Sequence, residues 1–228
     1  MKSFFAKRTT GLEWFLLIFG LAAVDTFVWI HTSAELYQAY ASWAFDQNLR
    51  GLEPTIPHFL AAELGWRRSE AIERAPQAPV PGRLQPAPSV LVGRLQIPRL
   101  KLTAMIQEGA DEAVLSRAVG HIPGTGVPGA LGNVALAGHR DTFFRPLRNI
   151  RADDLITLDT AQGNYSYRVL STEIVDPRDV SVLNASGGET LTLITCYPFY
   201  YVGSAPKRFV VRSVRLEPSS LHPPQQGS

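Results

Sequence analysis

The chain has 228 residues, a formal charge of +2 and a hydrophobic share of 45%. This length and composition suffice for one soluble domain of ordinary size together with an anchor and a linker. The small net charge, without a basic stripe interleaved with aromatics, argues against nucleic-acid binding. A single cysteine, Cys196, excludes a secreted fold held by disulfides, because such a fold needs an even set of cysteines.

The N-terminal residues predict a membrane anchor. Residues 12–30, LEWFLLIFGLAAVDTFVWI, form an apolar run long enough for one transmembrane helix. Lys7 and Arg8 precede it, so the positive-inside tendency puts residues 1–11 in the cytoplasm and the rest of the chain outside. Asp25 weakens this prediction, because a carboxylate at mid-bilayer costs about 2.5–3.5 kcal/mol. A cleaved signal peptide, for which no small-residue cleavage site follows the run, and a soluble core helix are the alternatives.

A helical segment, residues 31–74, and a proline-rich linker, residues 75–89, are predicted to follow. Within the first, residues 33–49 place apolar and aromatic side chains at helical spacing, with Ser33 as the cap. A second, weaker helix is expected at 57–74. Five prolines within fifteen residues then preclude a helix or a central strand and indicate a semi-rigid extended spacer. We expect this spacer to hold the following domain away from the bilayer.

Residues 90–217 predict a β-rich domain, followed by a frayed tail at 218–228. Short segments alternate apolar and polar residues and are bounded by Gly, Asn, Asp or Pro. The predicted strands are 90–97, 100–106, 133–139, 154–160, 164–176, 189–196 and 207–216, with helix at 110–118 and one or two helical turns at 143–150. About eight short strands with little helix favour an all-β closed barrel or sandwich over a parallel α/β sheet.

Cys196 ends the predicted strand LTLITC, two residues before Pro198. A side chain at a strand terminus is held rigidly yet can face a cleft, which suits a nucleophile. The alternative is an inert buried thiol, the usual state of a single cysteine. A free thiol is mostly protonated at neutral pH, so a reactive one needs a basic or cationic neighbour.

The neighbours can be sought among few residues. Only His121 and His139 lie within the β-rich domain, and His139 ends a strand of small residues that lets a ligand come close. His121 lies in a turn-rich stretch, where hydrogen bonding to the loop would account for it. Arg208 begins the strand after the cysteine loop, so a hairpin would return its guanidinium close to the thiol, where it could stabilise an oxyanion. Arg212 and Arg215 on the same strand are the competing arginines.

These motifs resemble those of a known family. TLITC (192–196), LAGHR (136–140) and APKRFVVR (205–212) are similar, in order and spacing, to the cysteine, histidine and arginine motifs of bacterial sortases, and their flanks are most like class D. The combination is highly specific, and the resemblance covers residues 90–216. It implies a closed eight-stranded sortase-type β-barrel with short helices, anchored in the bacterial cell membrane by one N-terminal helix.

The resemblance also implies a cysteine transpeptidase reaction. The Cys196 thiolate would attack a carbonyl within an LPxTG-like sorting signal and form a thioester. His139 would act as general acid for the leaving amine and then as base for the incoming one. Arg208 would stabilise the oxyanion or position the signal. The partners would be substrate proteins with such a C-terminal signal and an amine nucleophile on a cell-wall precursor or on another protein.

The residues that bind the peptide are expected next to the nucleophile and the histidine. The family pattern suggests that Thr195, directly before the thiol, shapes the peptide site. Ala137 and Tyr197 are the other two predicted substrate-binding residues. No cofactor or metal is expected. Some sortases bind calcium through clustered acids, and Glu108, Asp111 and Glu112 cluster here, but ordinary loop and helix-start roles explain them better.

Three other functions remain open at this level. A cysteine transpeptidase acting on peptidoglycan cross-links would need a glycine-rich stretch around its histidine and cysteine, which TLITCYPF does not supply. A cysteine hydrolase of the same fold would resolve the thioester with water. An anchored, non-catalytic β-barrel binding protein would carry an inert thiol.

Overall fold

The computed structural model describes residues 11–63, 91–185, 187–201 and 203–217. Four predicted features lie wholly or partly outside these described residues. They are the cytoplasmic N-terminus (residues 1–10), the second predicted helix (residues 64–74), the proline-rich linker and the C-terminal tail.

The first element of the described residues is one long helix, α1, Gly11–Leu49. It joins the two helices that were predicted separately, because residues 30–33 contain no Gly or Pro to interrupt it; Ser33 is therefore interior to a helix and not its cap. The first half of α1 exposes large apolar side chains, among them Phe15 and Phe19. In the described part of the chain, α1 alone is long and apolar enough to cross a membrane. A short α2, Ile56–Glu63, follows.

Eight strands close a barrel, as expected from the sequence. They are β1 Leu91–Ile97, β2 Leu102–Glu108, β3 Val119–His121, β4 Gly132–Ala137, β5 Leu155–Thr160, β6 Gly163–Val175, β7 Glu189–Tyr197 and β8 Lys207–Arg215. Their order around the barrel is β1-β2-β3-β4-β7-β8-β6-β5, closed by β5 pairing with β1. The three residues of β3 are too few to show an alternating pattern, so no strand was predicted there.

The helices of the barrel domain are short. In place of the helix predicted at 110–118, the structure has a single short turn of helix, α3, Glu112–Leu115. Asp111 caps its N-terminus, because the carboxylate accepts a hydrogen bond from Val114 N at 3.0 Å. Single 3₁₀ turns lie at Pro98–Leu100, Arg145–Asn149 and Val180–Leu183.

The second half of α1 packs directly on the barrel. Tyr37, Ala41 and Phe45 form an apolar cluster with Met105 of β2 and Leu91 of β1. The Gln38 side chain accepts from Met105 N at 2.7 Å and donates to a backbone carbonyl beyond α3 at 2.6 Å. The helical segment between the anchor and the linker therefore contacts the barrel through its own side chains.

Asp154, the residue before β5, forms an ion pair with Arg99. Its side chain is 5% exposed, and its carboxylate accepts from Arg99 Nε, from Arg99 Nη2 at 2.5 Å and from Arg151 N at 2.8 Å. The hydrogen bonding from Arg99 holds the pKa of Asp154 below its ordinary value of 3.8. The ionised carboxylate therefore stabilises the folded state.

This pair predicts how stability depends on pH. Since the folded-state pKa of Asp154 is depressed, its contribution is present above the unfolded value of about 4 and is lost as pH falls through the folded value. We expect Asp154→Asn to lower the unfolding free energy at pH 7 by about 1–3 kcal/mol, with the deficit shrinking at pH 3. Thermal unfolding of the full chain at the two pH values checks this.

The matched control is the neighbouring Asp153→Asn. That carboxylate is 81% exposed and 3.7 Å from Arg168, so its loss should change stability little at either pH. A deficit for Asp154→Asn that is the same at pH 3 as at pH 7 would contradict the assignment.

Candidate active site

Three adjacent chain segments bring the candidate catalytic residues to one end of the barrel. Strand β7 lies between β4 and β8. Cys196 pairs directly with Arg208 across the antiparallel β7–β8 ladder. On the other side, β4 runs parallel to β7 with Ala137 opposite Ile194, and Gly138 N donates to Ile194 O at 3.2 Å. His139 follows Gly138 directly, and extending the β4–β7 register by two residues would place it opposite Cys196. This register favours a cysteine that lies between the histidine and the arginine.

The Cys196 and Arg208 side chains also share a face of the sheet. Leu191 and Leu193 of β7 are fully buried in the core, so alternation turns Cys196 to the outer face of the barrel. Directly paired residues lie on the same side, which places Arg208 there too. Cys196 is half-buried, and the His139 side chain is 31% exposed. The thiol and the guanidinium thus share the outer face of the barrel, and the partly exposed imidazole follows the strand on the other side of β7.

Arg208 differs from the two competing arginines on β8. Arg212 Nε donates to the Glu173 carboxylate at 2.7 Å, and Arg215 Nε lies 3.4 Å from that of Glu189. Arg208 Nη1 instead donates to the backbone carbonyl of Lys207 at 3.1 Å, and no carboxylate among the described residues pairs with it. Among the described residues the Arg208 guanidinium therefore has no ion-pair partner, and its strand position is paired with that of Cys196.

His121 has a different environment from His139. It is 3% exposed, with Nδ1 2.7 Å from the Glu108 carboxylate and Nε2 2.8 Å from Gly126 O. Both ring nitrogens are therefore engaged with oxygen acceptors that tie β2 to the loop before β4. This supports a loop-holding role, the alternative considered from the sequence.

The two histidines predict contrasting variants. We expect His139→Ala to lower transfer at least about 100-fold, as loss of a general acid–base does, with little change in the unfolding temperature. His121→Ala should cost about 1–3 kcal/mol of stability, because it removes a buried ring together with its hydrogen bonds to Glu108 and Gly126, while the folded fraction keeps its activity. Steady-state transfer rates and thermal unfolding separate the two. A stable His121→Ala that is as inactive as His139→Ala would reverse the assignment.

Glu112 is a neighbour of the site that the sequence did not reveal. Its Oε1 lies 3.3 Å from His139 Nε2, and its side chain is 82% exposed. Glu112 is the first residue of α3, 27 positions before the histidine, so only the packing of α3 beside the end of β4 brings the two together. The three clustered acids thus have three separate roles. Asp111 caps α3, Glu108 holds His121, and Glu112 faces His139.

Arg140 connects the two loops that flank the site. Its Nη2 donates to the backbone carbonyls of Tyr201 at 2.6 Å and Gly203 at 2.9 Å. The loop after His139 is thereby tied to the loop between β7 and β8. The only sequence signal for this role is the position of Arg140 directly after His139.

Two buried residues, Phe144 and Thr195, contact the loop that carries His139 at Gly138. A Cβ on Gly138 would lie 2.8 Å from the ring of the fully buried Phe144, so glycine allows that ring to pack there. The Thr195 hydroxyl donates to Gly138 O at 2.7 Å, and Thr195 is only 2% exposed. Thr195 is therefore positioned to shape the peptide site through the His139 loop and not by touching a peptide itself.

The other two predicted peptide-binding residues are more open. Ala137 is the last residue of β4 and is half-buried. Tyr197 is also half-buried, and its ring packs against Phe199 and Phe209 with centroid distances of 6.2 and 6.4 Å. A peptide contact at either position stays a prediction.

The fold and this set of side chains define a β-barrel enzyme that uses a cysteine. Residues 95–216 match the family model of the sortase domain. The chain is 35% identical over 172 residues to Sortase D of Bacillus subtilis (strain 168), a match that covers 75% of this chain and 87% of that protein. It is 31% identical over 110 residues to Sortase A of Listeria monocytogenes, covering 46% of this chain and 49% of that one.

Solved structures give the same result. A Sortase D5 transpeptidase of Clostridium perfringens superposes with a TM-score of 0.51 at 26% identity, covering 56% of this chain and 79% of that one. Sortase A from Corynebacterium diphtheriae superposes with a TM-score of 0.54 at 28% identity, covering 60% and 64%. The chain belongs to the sortase family, whose members are cysteine transpeptidases.

Proposed function

We propose that this transpeptidase cleaves an LPxTG-like signal near the C-terminus of a substrate protein and transfers that protein to an amine. One observation carries the assignment of residues. Cys196 pairs directly with Arg208, and the strand on the other side of β7 leads into His139. A nucleophile between a proton donor and a fixed cation is the arrangement that acyl transfer through a thioester requires.

The first half of the reaction forms the acyl-enzyme. Cys196 Sγ attacks the scissile carbonyl as a thiolate, and the negative charge that develops on the carbonyl oxygen is stabilised by the Arg208 guanidinium. The tetrahedral adduct collapses when the C–N bond breaks. His139 gives its proton to the leaving amine, and the substrate acyl group remains on sulfur as a thioester.

The second half transfers the acyl group. An incoming amine attacks the thioester carbonyl, and His139 takes a proton from that amine as the C–N bond forms. Collapse of the second adduct expels the Cys196 thiolate and leaves His139 protonated for the next cycle. Ala137 and Tyr197 flank the bound signal, and Thr195 holds the loop beneath it.

We place the enzyme in the bacterial cell membrane, with residues 12–30 as a single anchor, residues 1–11 in the cytoplasm and the barrel outside. The exposed apolar first half of α1 supports this, since such a surface is unfavourable in water. The remaining layout follows the sequence boundaries, with a helical segment at 31–74, the linker at 75–89 and the catalytic barrel at 90–217.

A peptide panel tests the proposed function. The full chain in neutral detergent is incubated with LPxTG-like and scrambled peptides, with and without an added amine such as triglycine. We expect a new amide-linked product only with a matching peptide and an amine. Cleavage without any amine-linked product would identify a hydrolase of the same fold. No cleavage, together with a Cys196 thiol inert to alkylating agents, would identify a binding protein.

A further inference from the structure

A second concave surface lies on the barrel, and none of the three candidate catalytic residues lines it. Its volume is about 560 Å³, within the range of small-molecule sites. Four cationic side chains and no acidic one line it: Arg99, Lys101, Arg148 and Arg151. We call this surface the basic cavity.

Hydrogen bonds hold the two backbone turns beside the basic cavity in place. Lys101 follows the turn Pro98–Leu100 in a left-handed conformation with φ of 51°, and its N–H donates to Pro98 O at 3.0 Å. The facing turn, Arg145–Asn149, is tied to the first because Arg99 Nη2 donates to Asn149 O at 2.6 Å. The two neighbouring turns and the residues that follow them thus supply the cationic side chains that line one opening.

The charges in the basic cavity are not balanced. The charge of Arg99 is compensated by the buried Asp154 carboxylate. Lys101, Arg148 and Arg151 are exposed, and no carboxylate among the described residues forms an ion pair with them. Several other arginines of the barrel do have acidic partners: Arg94 with Asp46, Arg168 with Asp153, Arg212 with Glu173 and Arg215 with Glu189. Three cations without an ion-pair partner around a concavity favour a positive potential that attracts anions. The Asp154 carboxylate, already bonded to Arg99, offsets part of the Arg151 charge, since Arg151 also contributes to lowering the pKa of Asp154.

We propose that the basic cavity binds a phosphate or pyrophosphate group. Guanidinium and ammonium donors that line one opening match a multiply charged anion with several acceptor oxygens. The group can belong to the headgroup of an anionic lipid or to a soluble phosphate compound.

The basic cavity adjoins the loop that follows the nucleophile. The Arg148 guanidinium lies 5.4 Å from the ring centroid of Tyr200, four residues after Cys196. A phosphate-bearing molecule bound in the cavity would therefore contact an arginine that also packs on the β7–β8 loop. This binding does not depend on the proposed reaction, and it can be measured without it.

Pyrophosphate is the direct probe. The full chain in neutral detergent is titrated with inorganic pyrophosphate by calorimetry at constant ionic strength. We expect one site, and Lys101→Gln/Arg151→Gln should weaken pyrophosphate binding at least about tenfold, since two charged donors are lost.

The control Arg50→Gln/Arg178→Gln removes the same charge from exposed positions elsewhere, and its pyrophosphate affinity should stay within about twofold of that of the native chain. Absence of binding, or an equal loss in the control, would overturn the proposal.

The lipid and soluble sources are separated in nanodiscs. The same titration is made with the full chain in discs of phosphatidylcholine and in discs of phosphatidylglycerol. If a lipid headgroup occupies the cavity, pyrophosphate binds in the neutral discs and is excluded from the anionic ones. Equal affinity in both discs supports a soluble phosphate ligand. Equal affinity of the native chain and Lys101→Gln/Arg151→Gln in neutral discs would again exclude the site.

Discussion

Cys196→Ala is expected to abolish transfer of a sorting-signal peptide to an amine. The proposed reaction has a covalent step on sulfur, and loss of the nucleophile in such enzymes lowers the rate at least about 10⁴-fold. The half-buried thiol makes no disulfide, and the Cα pairing with Arg208 does not depend on the side chain. The variant should therefore fold, with an unfolding temperature close to that of the native chain. Transfer rates and thermal unfolding, measured on the same preparations, check both parts.

Cys196→Ser is the matched control, because serine is close to cysteine in size and shape. It keeps a polar atom of similar position but replaces a thiol by a much poorer nucleophile, so it should be almost as inactive as the alanine variant. Retention of more than a few per cent of native transfer by Cys196→Ala would exclude the thiol from the chemistry.

Arg208→Lys is expected to lower kcat for transfer by about 10²–10³-fold, the range seen when one oxyanion donor is removed. Lysine keeps the positive charge but replaces a planar group with several fixed donors by a flexible ammonium. The effect should fall on kcat more than on KM, because the oxyanion exists only after attack. Steady-state kinetics with a single LPxTG-like peptide measures the split.

Arg212→Lys is the control on the same strand. Arg212 is bonded to Glu173, and it pairs with Thr192 rather than with Cys196. We expect its activity to stay within about threefold of native, a change of less than 1 kcal/mol typical of exposed ion pairs. If Arg208→Lys and Arg212→Lys were equally active, the guanidinium of Arg208 would not belong to the site.

The three candidate catalytic residues could be found from the sequence because each stands at a strand boundary. The alternating pattern of 189–196 and 207–216 predicts two long strands, and a hairpin between them necessarily returns Arg208 towards Cys196. The small residues of 133–137 mark the strand that leads to His139. The structure agrees with these strands to within one or two residues at either end.

Other parts of the site could not be predicted, because they depend on packing between segments distant in sequence. Glu112 reaches His139 only because α3 packs beside the end of β4. Arg140 is an ordinary loop residue until the β7–β8 loop presents two carbonyls to it. The sequence predicts two helices in place of the single α1, because Ser33 is a good helix cap. Residues 30–33 contain no Gly or Pro, and in the structure the intrahelical bonding continues through them.

The most direct measurement is capture of the acyl-enzyme. The full native chain is mixed with an LPxTG-like peptide in the absence of any amine, quenched in acid within seconds and weighed intact by mass spectrometry. Our account predicts a mass gain equal to the peptide's acyl fragment, located on Cys196 by digestion and removed by hydroxylamine as a thioester is. An acyl adduct that digestion places on a residue other than Cys196, with none on Cys196, would contradict it.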